Sequence, residues 1–117
     1  MNREEFKEAM QKDWSADWDL YRKVLDASMK SRDWTEQSMI IMEELAELAQ
    51  EVSKGARGEL DRYGLILEMA DVVSCLDMLM AHYEITDEEL NKASMVKSKC
   101  IGKKLGVIVR DELIQGE

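Results

Sequence analysis

The sequence predicts an all-α fold. Three observations carry this expectation. The 117 residues contain no proline. The strong helix formers Leu, Met, Ala, Glu and Lys dominate. No segment of useful length alternates apolar and polar residues as a half-buried strand does; only the short run Val107-Ile108-Val109 looks β-like. The length suits one domain, since domains cluster at about 100–150 residues. With 45% apolar and 35% charged residues, the chain is too apolar to be disordered and too charged to be a membrane protein.

The elements follow in order. A first helical segment within residues 3–30, breaking near Asp13, spaces Phe6, Met10, Trp14, Trp18, Tyr21, Leu25 and Met29 mostly three or four apart, as one packed stripe would. A second helix begins near Asp33 to Thr35, where Asp33 and Glu36 have the spacing of a capping box, and runs to about Lys54, with Gly55 as its stop. Three glycines between Gly55 and Gly64 mark a connecting loop. A third helix covers about Leu65 to Tyr83. Thr86 and Glu89 then open a fourth, to about Ile101. The product is a four-to-five-helix bundle with short loops. It divides into an N-terminal helical extension (residues 1–33), a core carrying the acidic motifs (34–104) and a C-terminal tail (105–117).

No apolar run approaches the roughly 20 residues that span a bilayer, and Met1-Asn2-Arg3-Glu4-Glu5 lacks the apolar core of a secretory signal. The expectation is a cytoplasmic protein with no membrane partner. Two cysteines, Cys75 and Cys100, make neither a disulfide framework nor a zinc spacing. The net charge of −9 argues against a nucleic-acid partner, because counterion release needs a basic face. A small phosphate ligand remains open to an acidic protein, provided that gathered carboxylates share a divalent ion with it.

The acids are gathered. On the second helix Ile41, Leu45, Leu48, Ala49 and Val52 share one side, and Glu43, Glu44, Glu47 and Glu51 fall within an arc of about 100° on the other. By itself this is a solvated acidic face. The third helix, however, is apolar nearly all round, which places it centrally in its bundle. It nevertheless carries Glu68 and Asp71 three apart, on one face. Buried carboxylates need a cationic partner or take up a proton. An ion-pair network with Arg or Lys is one answer. Because the preceding helix offers more acids, a hard divalent ion held by oxygen ligands is the other. A di-iron carboxylate centre would need Glu-x-x-His pairs, and the one histidine, His82, has Leu79 three residues before it.

These residues resemble the signature of the MazG-like, all-α nucleoside triphosphate pyrophosphohydrolases: E-E-x-x-E on one helix and E-x-x-D on the next. Here the pattern reads Glu43-Glu44-Leu45-Ala46-Glu47 and Glu68-Met69-Ala70-Asp71, with 20 residues between Glu47 and Glu68. Trp34 and Gln37 are similar to the tryptophan–glutamine lead-in of many members, with Thr35 where a glycine is usual. The resemblance covers roughly residues 34–104. It implies a helical bundle assembled as a homodimer or homotetramer. The activity it implies is Mg²⁺-dependent (Mn²⁺ possible) cleavage of a nucleoside triphosphate between its α and β phosphates, with housecleaning of non-standard nucleotides as the role. Glu44, Glu47, Glu68 and Asp71 correspond to the family's metal ligands, and Glu43 fills the leading acid position.

A glutamate should orient or deprotonate the attacking water; Glu43 and Glu47 both qualify. Cations should meet the polyphosphate, and the candidates are Lys54, Arg57 and Arg62 before the third helix and Lys97, Lys99, Lys103 and Lys104 late in the fourth. The fourth helix lacks the asparagine that many members place there. Trp34 is a candidate for stacking on the base, whereas Trp14, Trp18 and Tyr21 read as core or interface, core foremost. Phosphoribosyl-ATP or a dUTP-like nucleotide as substrate, or a helical nucleotide-binding protein without turnover, are the alternatives.

Overall fold

A computed structural model describes residues 1–107; residues 108–117, and with them most of the Val107-Ile108-Val109 run, lie outside the described residues. The described chain is all-α, as the sequence predicts, with five helices and no strand. They are α1 (Arg3–Met10), α2 (Trp18–Lys30), α3 (Trp34–Ala56), α4 (Arg62–Tyr83) and α5 (Asp87–Leu105). No described helix is long and apolar enough to cross a membrane. The chain divides into two compact units, Met1–Met78 and the remainder from Leu79.

Local sequence explains most helix ends. Asn2, Asp17 and Asp33 each accept a hydrogen bond from the backbone N–H three residues on, satisfying a donor that the first turn leaves open. Asp61 does the same for α4, accepting from the Gly64 N–H at 3.0 Å. That cap starts α4 at Arg62, three residues earlier than the apolar pattern indicates. Gly55 does not stop α3, which continues to Ala56.

In the first unit, α1 docks against the start of α4. Gln11 Nε2 donates to the Tyr63 hydroxyl at 2.7 Å, and the Lys7 ammonium lies 5.8 Å from the Tyr63 ring centre. The segment 11–17 interrupts the predicted stripe. Phe6, Tyr21, Leu25 and Met29 are partly buried, but Met10, Trp14 and Trp18 are exposed, Trp14 by 85%. Trp14 and Trp18 are therefore not core residues of this protomer. Trp18 packs edge-on to Tyr21 instead, ring centres 5.5 Å apart.

Helix α3 turns an unexpected arc inward. Its buried residues are Gln37, Ile41 and Glu51, with Glu44 and Leu48 partly buried. Leu45 and Val52, on the apolar side, are 45% and 57% exposed. The boundary between the apolar and acidic sides faces the core. In the second unit Thr86 and Glu89 form the predicted capping box, and Gly106, at φ 75°, ends α5 in the left-handed conformation glycine favours.

Candidate metal centre

Helices α3 and α4 lie antiparallel, because early α3 meets late α4 and late α3 is bridged to the start of α4. Three rungs define the pairing. Gln37 Nε2 donates to Met78 Sδ at 3.3 Å. Glu44 meets Glu68 and Asp71. Glu51 is bridged through Arg3 to Asp61, beside Gly64. Gln37, Glu44 and Glu51 are seven residues apart, as are Gly64, Asp71 and Met78. A step of seven is two helical turns, about 10 Å, and returns to nearly the same face. The acidic rung is thus the middle of a regular helix pair.

In that rung one carboxylate oxygen from each of Glu44, Glu68 and Asp71 lies within 4.8 Å of the others. Glu68 is only 8% exposed. Glu44 Oε2 and Glu68 Oε2 are buried with no hydrogen-bond donor. The electrostatics follow. Glu44 is pushed up to about 7, first by burial and then by the charge of Asp71, with Glu47 and Glu68 adding to it. Glu68 is raised by burial and by its contact with Glu47, and the Arg3 guanidinium pulls it partly back. Burial and the charges of Glu44 and Asp71 likewise raise the Cys75 thiol, which is buried on α4.

The donor set fits a hard divalent ion. An octahedral Mg²⁺ with oxygens at about 2.1 Å places opposite ligands about 4.2 Å apart. Oxygens already within 4.8 Å of one another reach that arrangement by small side-chain movements. Oxygen-only ligands and two acceptors without donors point the same way.

The remaining candidates are placed as follows. Glu47 is exposed, yet its carboxyl reaches Glu68. Glu43 is exposed. Trp34 begins α3 and is partly buried. Lys54 Nζ pairs with Glu51 at 3.1 Å, Arg57 pairs with Ser53 and Glu59, and Arg62 is exposed at the first position of α4. Lys97 and Lys99 belong to α5, in the second unit.

Sequence reasoning missed the two flanking rungs. Arg3 contacts Glu51 at 3.5 Å and Asp61 at 3.3 Å. A Cβ on Gly64 would come within 2.6 Å of Asp61 Oδ2 and 2.8 Å of Arg3 Cζ, so a side chain there would push the ends of these two side chains aside. Gln37 is 2% exposed, and its Oε1 is buried without a donor. The seven-residue recurrence of Gln37, Glu44 and Glu51 was the signal that could have found two of these residues; nothing local announces Arg3. No family model, curated protein or solved structure matches the chain.

Proposed function

We propose that the protein is a Mg²⁺-dependent nucleotide pyrophosphohydrolase that cleaves a nucleoside triphosphate into monophosphate and pyrophosphate. The observation that carries this reading is the convergence of Glu44, Glu68 and Asp71, on helices whose E-E-x-x-E and E-x-x-D patterns resemble that enzyme family. Glu44, Glu68 and Asp71 would hold the ion, with Glu47 beside them. When bound, the ion would neutralise phosphate charge and acidify water.

The chain's own residues supply the rest. Glu47 touches Glu68 and opens to solvent, which suits it better than Glu43 to orient a water and take its proton. That water adds to one of the two phosphorus atoms joined by the α–β bridge. The bridging oxygen then leaves with the other phosphorus. Lys54, half-buried on α3 beside Glu51, is a candidate cation for the polyphosphate.

The protein would work as a homodimer or homotetramer. Met42, Leu45 and Val52 of α3 and Met69, Val73 and Leu76 of α4 are all exposed on a single protomer, and association would take such side chains out of water.

A nucleotide panel with Mg²⁺ or Mn²⁺, analysed for monophosphate plus pyrophosphate, tests the activity. Glu68→Gln and Asp71→Asn should each lower turnover by about 100-fold or more, the scale of losing one charge contact at a reacting centre. Full activity in either variant overturns the site. Nucleotide binding without turnover would instead identify a non-catalytic helical binding protein.

A further inference from the structure

Of the 19 residues of α5 only Gly102 is buried. At 100° per residue, Leu90, Ala93, Val96, Cys100 and Ile101 fall within an arc of about 140°, and all five are exposed. Gly102 lies roughly opposite them, so the packed side of α5 is the one away from this apolar stripe. Such a stripe is normally the side on which a helix meets another element. The two ends of α5 carry opposite charge: Asp87, Glu88 and Glu89 stand in the first turn, Lys103 and Lys104 in the last. These charges suit the helix dipole, which accounts for the ends but not for an exposed apolar stripe between them. Lys97 and Lys104 share the arc with the stripe, and their methylene stems extend its apolar surface while the ammonium groups reach outward.

We propose that α5 pairs antiparallel with α5 of a second copy of this chain. Charge selects this partner. In antiparallel order the acidic first turn of each helix lies beside the basic last turn of the other, and the pair is attracted at both ends. In parallel order like charges meet at both ends. The helix is about 28 Å long, well beyond the screening length of about 8 Å at physiological salt, so each end responds to the charge beside it and the order is decided. A foreign helix would have to carry the same charge gradient in reverse. A second copy presents that gradient simply by being turned round, and two-fold symmetry makes each contact occur twice. The two stripes then leave water together, at about 25 cal/mol per Å². The inference is independent of the nucleotide chemistry, and it adds a second self-contact to the one proposed for the α3 and α4 side chains.

The test is sedimentation equilibrium of the full-length chain, at a concentration where the wild type is fully assembled. Asp87→Lys with Glu88→Lys makes both ends of α5 basic and leaves Glu89 in its capping box. Lys103→Glu with Lys104→Glu makes both ends acidic. Each charge variant alone should sediment at half the mass of the wild-type assembly, and an equimolar mixture of the two should recover the wild-type mass. Val96→Lys places a better helix former at an exposed position of the stripe, so it spares the fold and should also halve the mass. A wild-type monomer, charge variants of undiminished mass, a mixture that stays at half mass, or a Val96→Lys chain of wild-type mass would each overturn the pairing. Failure of the α3–α4 contact reads differently: Val73→Lys would leave the wild-type mass unchanged while the α5 variants still halve it.

Discussion

Glu44 keeps its proton up to about pH 7 because burial and three neighbouring carboxylates oppose its charge. In the unfolded chain the same group titrates near 4.5, against about 7 when folded. The folded state therefore binds the extra proton between these values, and stability falls as pH rises. The contribution is fully present below the lower value and is gone above the upper one. Glu68, raised in the same direction, adds to the trend. The metal-free protein should thus melt at a lower temperature at about pH 8 than at about pH 5, and Glu44→Gln should flatten the difference. Mg²⁺ should restore the midpoint at the higher pH and do little at the lower, where protons occupy the ligands. Scanning calorimetry with chelator and with Mg²⁺ reads both effects; an unchanged slope in Glu44→Gln would show that the acids do not repel one another. Glu68 and Asp71 were legible as a pair because i, i+3 spacing puts them on one helix face; that Glu44 of the preceding helix meets them depends on how the two helices pack, and was expected only from the family resemblance. Glu51 was legible only as one more acid on a polar arc, since its burial depends on Arg3, 48 residues away in the chain.

The α3–α4 pair is the element that gives the acids their geometry. Its end is pinned where Arg3 and Asp61 pack over Gly64. Gly64→Ala sets two effects against each other. Alanine improves helix propensity by about 1 kcal/mol. Its Cβ, however, would push aside Asp61 Oδ2 and the Arg3 guanidinium, the ends of two flexible side chains, and so strain their ion pair at a cost of about 1 kcal/mol. The two effects should nearly cancel, leaving the urea midpoint close to that of the wild type at constant m-value; a loss of about 2 kcal/mol or more would mean that the bridge is rigidly held. Some element ends were readable beforehand, from Asp33 and from the Thr86–Glu89 box. Others were not: α1 ends at Met10 and α2 starts at Trp18, either side of the single break expected near Asp13, and α5 runs on to Leu105, past Ile101. Gly55 stays helical because one glycine weakens a helix without ending it, and α4 starts early because Asp61 caps it, which an apolar pattern does not register.

Among the described residues of a single protomer two apolar side chains are buried, Ile41 and Cys75, while Val73 is 55% exposed at the middle of α4. Burying such a surface favours association at about 25 cal/mol per Å². Sedimentation of the wild type should give a dimer or tetramer, and Val73→Lys should shift it toward the protomer mass. A wild-type monomer would remove the proposed assembly. The all-α class, the order of the helices and the grouping of the acids on two of them were determined by the sequence alone. Each depends on propensity, capping and a 3.6-residue period, which act within a few residues. Only the tertiary structure decided that the boundary of α3 rather than its apolar face turns inward, that Trp14 and Trp18 stay in water, and that Gln37 and Glu51 flank the acidic rung. These outcomes depend on which neighbour a face meets, and contacts across dozens of residues follow from the packing of the whole unit, not from local periodicity.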